Sequence, residues 1–262
     1  QKDKTGTTNG FLPREGTLER SINGYIPRNR FVGDPNNDIY QTETGAISSL
    51  LEHSFNDAVK FTQNLRYAHV DGVYRSVYAN FYGDPFAGDL VRRRTVTRYG
   101  SSQAVSNDNF TADNNLQVKA ITGPLEHKVL FGVDYRDFYA RSSVASSADT
   151  TPFDLYSPVY TSVALPDLQR LADARQNQTG LYAQDQMRLG PWLATLGVRQ
   201  DYATTRYPGS DSDRSATTGR ASLMYETSVG FNPYVVWAQS FNPGGFSPTC
   251  GGAGCYEATC KD

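Results

Sequence analysis

The chain has 262 residues, of which 38% are hydrophobic and 12% aromatic, and its formal net charge is −2. No run of about 18 consecutive apolar residues exists, which excludes a helical membrane protein, and the 17 tyrosines and 13 phenylalanines argue against a disordered chain. The near-neutral charge makes nucleic acid a poor partner. A polar chain rich in aromatic residues and glycine fits an all-β protein, including outer-membrane barrels, whose strands need apolar residues on one face only.

The N-terminal segment is a long polar connection from Lys4 to Asp38. The sequence starts at Gln1 without an initiator methionine, a charged n-region or an apolar h-region, so it shows no signal peptide. We therefore expect the chain to be a fragment of a longer protein.

Four short turn signals then divide the chain, and each lies between two segments of alternating apolar and polar residues. The signals are Asn56-Asp57, Gly123-Pro124, Gly190-Pro191 and Gly230-Phe231-Asn232-Pro233. Longer polar connections separate them, at about 83–89, 142–178 and 208–217. Tight turns on one rim and long loops on the other are typical of bacterial outer-membrane barrels, whereas a Greek-key sandwich has long and short loops at both ends.

The segments that follow the first three turns alternate with a period of two, which places each set of side chains on one face of a sheet. Their apolar faces carry Val59, Phe61, Leu65 and Tyr67, then Val129, Phe131, Val133 and Tyr135, and then Trp192, Ala194, Leu196, Val198 and Tyr202. The opposite face of the third segment carries Arg199 beside Asp201. That of the second carries Asp134 beside Arg136. Because burying such ions in a dry core costs several kcal/mol each, we predict that the polar faces line a water-filled channel and that the apolar faces contact lipid.

An antiparallel sheet packed on a soluble partner has the same period, so periodicity alone leaves this alternative open. Two features favour the membrane. The alternating stretches 40–55 and 59–78 exceed the mean soluble strand of about five to six residues. Aromatic residues also lie near the predicted strand ends, where a membrane-interface girdle places them; they are Tyr67, Tyr74, Tyr78, Tyr135, Phe138, Tyr139, Trp192 and Tyr202.

The segment from Gln178 to Gln186 resembles the Q-x-G-L-Y-x-Q-D-Q strand of TonB-dependent siderophore receptors of the ferric-hydroxamate, or ferrichrome, group. The segment from Leu196 to Tyr202 resembles their L-G-x-R-x-D-Y strand. Further similar stretches are Gln1-Lys2-Asp3-Lys4-Thr5-Gly6, Gly10-Phe11-Leu12-Pro13, Phe31-Val32-Gly33-Asp34-Pro35, Gln63-Asn64-Leu65-Arg66-Tyr67, Gly132-Val133-Asp134-Tyr135 and Ser240-Phe241-Asn242-Pro243. The resemblance covers residues 1–243, and the Gly- and Cys-rich segment 244–262 departs from it.

The resemblance implies an all-β fold, an antiparallel up-and-down meander that forms part of a transmembrane β-barrel of about 22 strands. By the turn count, the chain supplies roughly eight or nine of these strands. Residues 1–243 are the partial barrel and 244–262 an atypical tail. Receptors of this family also have an N-terminal plug domain, which is not recognisable in this sequence. The cysteines of the tail, Cys250, Cys255 and Cys260, do not have the spacing of a zinc site, and both a disulfide and an aberrant tail stay open.

The function that the resemblance implies is active import of a ferric siderophore across the bacterial outer membrane. The partners are then the siderophore, outer-membrane lipid and the TonB complex, which acts through the missing plug region. Iron arrives inside the siderophore, so no cofactor or metal site is expected, and His53, His69 and His127 are isolated in the sequence. The alternative is a passive pore or a surface-binding barrel without energy coupling.

We do not expect an enzyme, because the sequence contains no G-x-S-x-G, no phosphate loop and no G-x-G-x-x-G. The enzyme alternative is a rim site built around His69.

Aromatic residues are concentrated in two of the polar connections. They are Tyr78, Phe81, Tyr82 and Phe86 in one, and Phe153, Tyr156 and Tyr160 in the other. Because aromatic side chains in polar loops suit a large amphipathic ligand, we predict that these seven residues contact the siderophore. The alternative is that they pack the loops on themselves or lie in the aromatic girdle at the lipid interface. Nearby, Arg92-Arg93-Arg94 is expected to be a solvated loop or strand end.

Overall fold

The computed structural model describes residues 1–7, 11–80, 83–209 and 211–244, and every regular element in these ranges is a β-strand. The strands are β1 (Lys2–Thr5), β2 (Ile39–Ser54), β3 (Val59–Ala79), β4 (Thr95–Thr122), β5 (Leu125–Asp154), β6 (Gln169–Arg170), β7 (Ala174–Leu189), β8 (Trp192–Arg206), β9 (Ser212–Tyr225) and β10 (Tyr234–Ala238). Within the described ranges, no helix has the length and apolar character needed to cross a membrane. Of the predicted tail, 244–262, only Gly244 lies among the described residues.

The strands form one sheet in which sequence neighbours are hydrogen-bonded neighbours. The order is β1-β2-β3-β4-β5-β7-β8-β9-β10, and the two-residue β6 pairs with β5 beside the path. The pairing of β7 with β8 is antiparallel and runs from Arg175↔Arg206 to Leu189↔Trp192. The predicted antiparallel meander is therefore confirmed, with ten strands in the described ranges, of which β1, β6 and β10 are short.

The four predicted turns each join neighbouring strands. Gly123 and Gly190 have φ of 61° and 55°, a left-handed conformation that suits glycine in a two-residue hairpin. In the first turn, the side-chain oxygen of Asn56 accepts hydrogen bonds from the backbone N–H groups of Ala58 and Val59, both at 2.9 Å. Local turn chemistry therefore accounts for the short connections.

The predicted long connection 142–178 is wrong at both ends. β5 continues to Asp154 and β7 already begins at Ala174. The extension of β5 consists mostly of serine, alanine and threonine, which give no contrast between an apolar and a polar face. Two positions in it, Ser142 and Ala145, are nevertheless buried. The strand is formed by pairing with its neighbours rather than by hydrophobic periodicity.

The chain divides into two compact units. Unit 1 comprises Gln1–Gly45, Val70–Ser106 and Arg141–Leu171. Unit 2 comprises Ala46–His69, Asn107–Ala140 and Ala172–Asp262. The long strands β2 to β5 contribute residues to both units.

In unit 2 the apolar face of the strands is the exposed one. Leu181, Leu196 and Val198 are each at least half exposed, at 50%, 54% and 53%. On the opposite face Thr195 and Asp201 are buried. A water-soluble sheet has the reverse arrangement, so the apolar face of these strands is exposed as the alternation predicts. Its contact with lipid and the water-filled channel on the polar side stay predictions.

The charged residues of the polar face form a network that reaches from β5 to β8 across β7. Arg199 of β8 donates to both Asp134 of β5 and Asp201 of its own strand, the latter at 2.6 Å. Arg136, predicted as the neighbour of Asp134, donates instead to Asn109 at 3.2 Å. The Arg199 side chain crosses β7 at Gly180, where an added Cβ would lie 1.9 Å from its Nη2 atom. The glycine of the Gly-Leu-Tyr motif therefore leaves room for this crossing.

Unit 1 contains a conventional hydrophobic cluster. Its buried members are Ile26, Val32, Ala79, Phe86, Val96, Phe153 and Leu155, with Leu12 and Tyr156 packed against them. These residues come from the polar N-terminal segment, from the connection between β3 and β4, and from the ends of β3, β4 and β5. The long connections of unit 1 are thus held together by a common core.

Candidate ligand-binding site

The seven aromatic residues that the sequence singled out occupy different environments. Phe86 and Phe153 are almost fully buried in the cluster of unit 1, with 1% and 2% of their surface exposed. Phe81 and Tyr82 lie outside the described residues. Burial of Phe86 and Phe153 favours the stated alternative, that these two side chains pack the loops on themselves.

Tyr156 connects two segments that are far apart in the sequence. Its hydroxyl lies 2.5 Å from the Ser21 hydroxyl and 3.3 Å from the Gly24 carbonyl oxygen. Its own carbonyl accepts a hydrogen bond from Arg30 at 3.1 Å. Tyr156 therefore anchors the N-terminal segment to the connection that follows β5.

Tyr160 lies beside the cluster and keeps 41% of its surface exposed. Its ring centre is 6.1 Å from that of Phe31 and 5.7 Å from that of Phe153. Its hydroxyl donates to the Phe31 carbonyl at 3.1 Å. Tyr160 thus presents part of a firmly held ring at the surface of unit 1.

Tyr78 belongs to a second group of rings. Its ring centre lies 5.5 Å from that of Tyr99 and 6.4 Å from that of Phe11, which meets it edge-on. Phe11 is 56% exposed, and it was missed as a candidate although it follows the same signal, an aromatic residue in a polar loop between Gly10 and Pro13. The structure therefore brings together Phe11, Tyr78 and Tyr99.

The predicted solvated role of Arg92-Arg93-Arg94 is wrong for two of the three. Arg93 donates to Glu15 at 2.7 Å, and its guanidinium carbon lies 4.9 Å from the centre of the Phe86 ring. Arg94 binds both oxygens of Asp154, at 3.0 and 3.2 Å. Such two-pronged pairs fix orientation as well as distance. The arginines thus tie the connection between β3 and β4 to the N-terminal segment and to the end of β5.

Asp89 organises the same connection. Its Oδ2 accepts hydrogen bonds from the backbone N–H groups of Arg94 and Thr95, both at 3.2 Å, and from the Thr95 hydroxyl at 3.1 Å. Burial by itself raises the pKa of Asp89, but these hydrogen bonds, joined by one from Arg92, outweigh it and lower the pKa to about 2. The carboxylate is therefore ionised at neutral pH.

A second buried network holds the connection that follows β5. Arg98 is 1% exposed and donates to Asp149 and to the Thr161 carbonyl, both at 3.0 Å. Fully buried Asp34 accepts the backbone N–H of Val163 at 3.0 Å. Burial raises the pKa of Asp34, yet hydrogen bonds from the Asn36 and Val163 backbones bring it below its ordinary value. Arg98 therefore holds this connection at Thr161, and Asp34 holds it at Val163.

Asp38 lies in the same region, and its surroundings disfavour the ionised form of its carboxyl group. Its Oδ1 accepts the backbone N–H of Val77 at 2.9 Å, whereas its Oδ2 is buried and has no hydrogen-bond partner among the described residues. Burial, assisted by the charge of nearby Asp34, raises the pKa of Asp38 to about 6. Ionised Asp38 is therefore poorly solvated in the folded chain.

The histidines have separate surroundings. His69 Nδ1 lies 2.8 Å from an Asp108 carboxylate oxygen, and His127 Nδ1 lies 2.7 Å from one of Asp185. His53 packs edge-on against Phe55, with ring centres 4.6 Å apart. Among the described residues, no three His, Cys, Asp or Glu side chains form a group that could hold a metal ion.

Comparison with known sequences places these features in a family. The profile of the family described as "TonB dependent receptor-like, beta-barrel" matches residues 1–256. The ferrioxamine receptor of Yersinia enterocolitica is 31% identical over an alignment of 259 positions that covers 93% of this chain and 35% of that receptor. The ferrichrome outer membrane transporter/phage receptor of Escherichia coli K12 is 31% identical over an alignment of 266 positions that covers 89% of this chain and 34% of that protein. The chain thus spans about one third of the length of the curated relatives that it matches.

Solved structures show the same fold. The closed form of the ferric-catecholate import receptor Fiu from E. coli K12 superposes with a TM-score of 0.76 and 18% identity, covering 90% of this chain and 39% of Fiu. The siderophore receptor PiuA of Acinetobacter baumannii gives a TM-score of 0.68 and 19% identity, covering 79% of this chain and 33% of PiuA. Together with the profile match, this shows that the chain belongs to the TonB-dependent receptor β-barrel family, whose barrels lie in the outer membrane of Gram-negative bacteria.

Proposed function

We propose that the chain forms part of a receptor that binds a ferric siderophore of the hydroxamate class and imports it across the outer membrane with energy delivered through TonB. The observation that carries the proposal is identity of 30–31%, over 89–94% of the chain, to receptors named for ferrioxamine or ferrichrome. The TonB complex acts through the plug region of the parent receptor. Because the formal net charge is −2, we do not expect nucleic acid as a partner.

The ligand-contacting residues of this chain are Phe11, Tyr78 and Tyr160. Two observations support this choice. The rings of Phe11 and Tyr160 are 56% and 41% exposed, so a ligand can reach them. All three are also held by neighbouring rings, and rigid aromatic side chains bind amphipathic molecules at low cost in conformational entropy.

The other predicted aromatic residues have a supporting role in this proposal. Phe86 and Phe153 form the core beneath the surface, and Tyr156 joins the N-terminal segment to it. Phe81 and Tyr82 remain predicted contacts, because they follow Tyr78 directly in the connection between β3 and β4.

The cargo crosses without chemical conversion. Its iron is already chelated by the siderophore, so the receptor requires no cofactor and no metal site of its own. The proposal is supported by membership of a family of transport receptors rather than enzymes. The exposed apolar face of unit 2, with Leu181, Leu196 and Val198, contacts the acyl chains of the outer membrane.

The binding experiment uses the complete receptor that carries this chain, purified in detergent. Ferrioxamine B, ferrichrome and a ferric catecholate are titrated in turn by calorimetry. We expect one ferric hydroxamate to bind with a micromolar or lower Kd. Phe11→Ala and Tyr78→Ala should each weaken binding by about three- to tenfold, whereas Tyr25→Ala, which removes another exposed ring of unit 1, should not. Absence of binding by all three chelates overturns the assignment.

Uptake by whole cells separates the proposal from the passive pore. Cells that express the complete receptor should accumulate the radiolabelled ferric siderophore only when TonB is present. Equal accumulation in cells without TonB supports the passive pore and contradicts the proposed energy coupling.

A further inference from the structure

A cavity of about 630 Å³ lies in unit 1, and Phe11, Tyr78 and Tyr160 are not among its lining residues. Its walls come from β3, from β4 and from the segment 162–168 that follows β5. The volume is in the range of small-molecule sites. The proposed function makes no use of this cavity.

Arg75 of β3 lines the cavity and differs from three other arginines of unit 1. Arg93, Arg94 and Arg98 each bind a carboxylate. Arg75 is half-buried, its Nε is buried, and no described residue accepts a hydrogen bond from its guanidinium or forms an ion pair with it. A partly desolvated guanidinium without an acceptor is unfavourable in an empty cavity, and an anion would satisfy it.

The rest of the lining fits an amphipathic anion. Ser102, which is 5% exposed, together with Asn37 and Ser162, adds polar groups that can donate to oxygen. Val73 and Leu165 supply apolar contact surface. The other ionisable group of the lining, Asp167, is exposed and makes no ion pair with Arg75.

The wall formed by 162–168 is fixed in place before any ligand binds. Asp34 accepts the Val163 backbone N–H, and Arg98 binds the carbonyl oxygen and the hydroxyl of Thr161, each at 3.0 Å. Leu165 lies directly over Gly100 of β4, where an added Cβ would approach its Cδ2 to 2.7 Å. A preorganised wall reduces the entropy lost on binding.

We propose that this cavity binds the oxyanion head group, a phosphate or a carboxylate, of an amphipathic molecule, and that Arg75 is its principal charge partner. The guanidinium binds two oxygens of the head group side by side, the hydroxyls of Ser102 and Ser162 donate to a third, and the apolar wall covers the first part of the attached chain. The site is additional to the siderophore site and does not depend on it.

The test uses the complete receptor in a nonionic detergent. Octyl phosphate is titrated and followed by ³¹P NMR, and octanoate and inorganic phosphate are titrated separately by calorimetry. We expect an octyl anion to bind, and Arg75→Gln to weaken that binding by at least about tenfold because charged hydrogen bonds are lost. Arg75→Lys should have an intermediate effect. Arg20→Gln makes the same charge change at an exposed position of unit 1 and should leave binding unchanged.

A second variant distinguishes loss of the binding site from misfolding of the Arg75 variants. Ala164→Trp fills the cavity from the exposed segment 162–168 and leaves all strand pairing intact, so it should also abolish binding. Binding of inorganic phosphate alone with the same Arg75 dependence would assign the site to a free anion rather than to a lipid-like one. Unchanged affinity in Arg75→Gln and Ala164→Trp, or no binding of any of the three probes, overturns the proposal. Siderophore binding should persist in both variants, so failure here is distinguishable from failure of the proposed function.

Discussion

Arg98 and Asp149 form an almost fully buried ion pair, with Nη2 and Oδ2 3.0 Å apart and side chains 1% and 13% exposed. The same guanidinium lies 4.8 Å from the centre of the Phe153 ring. Arg98 therefore links β4 and β5 with the connection that covers them.

Replacement of Arg98 by methionine leaves the Asp149 carboxylate buried without its partner. Breaking a buried pair in this way costs about 3–5 kcal/mol. Hydrogen exchange measured by mass spectrometry should show strongly increased exchange in peptides that cover 149–163. Arg14→Met is the matched control, because Arg14 and its partner Glu19 are 74% and 58% exposed and a surface pair contributes only about 0–1 kcal/mol. Equal exchange in both variants contradicts a structural role for the Arg98 pair.

Asp38 should make the stability of unit 1 depend on pH in an unusual direction. Its folded-state pKa, about 6, lies above the ordinary 3.8, so the folded chain binds the proton more tightly than the unfolded chain. The penalty is absent below pH 3.8, grows as the pH rises between these values, and is complete above about pH 6. Asp38→Asn should therefore slow exchange near Val77 at pH 7.5 and have little effect at pH 4.

Asp84→Asn is the control, and its expected effect on hydrogen exchange is opposite to that of Asp38→Asn. A hydrogen bond from the Phe86 backbone, helped by Arg93, holds the pKa of Asp84 below its ordinary value. Its ionised form stabilises the fold, so Asp84→Asn should speed local exchange at pH 7.5. If both substitutions change exchange in the same direction, the interpretation of Asp38 is wrong.

The strands were predictable from the sequence where alternation was strong, and the site was not. Phe131 and Val198 alternate with polar residues over long stretches, so their faces could be assigned without knowing the fold. Phe86 and Phe153 carry the same local signal as Tyr160, an aromatic residue in a polar connection. Only their contacts with residues far away in the sequence make two of them buried and one exposed. Burial that depends on contacts between distant residues cannot be predicted from the local sequence.

The ion pairs of the arginines could not be predicted from the sequence either. Arg93 finds Glu15 across 78 residues of sequence, and no spacing rule connects them. The missed part of β5, with Ser142 and Ala145, is likewise determined by strand pairing rather than by its own periodicity.

Gly180→Ala should disrupt the charge network of unit 2. The added methyl group would lie 1.9 Å from Arg199 Nη2, and the guanidinium is held on both sides by Asp134 and Asp201, so it must give up hydrogen bonds. We expect a loss of about 1–3 kcal/mol in the free energy of unfolding, measured by urea titration of the receptor in lipid vesicles. Gly45→Ala is the control, because nothing lies within 4 Å of an added Cβ there. Equal stabilities of the two variants would show that the crossing at Gly180 is not important.

Charge placed on the two faces of β7 should distinguish lipid contact from contact with water. Leu181 is half exposed on the apolar face, whereas Gln184, an odd number of residues away, lies on the opposite face. Arginine on a lipid-contacting face costs about 2–4 kcal/mol near the bilayer midplane, and a residue facing the lumen tolerates it. Leu181→Arg should therefore lower the yield of folded receptor in vesicles and its stability to urea, while Gln184→Arg should change either value by less than about 1 kcal/mol. The reverse order would mean that the apolar face of unit 2 packs against something other than acyl chains, and the proposed position of these strands in the membrane would then be wrong.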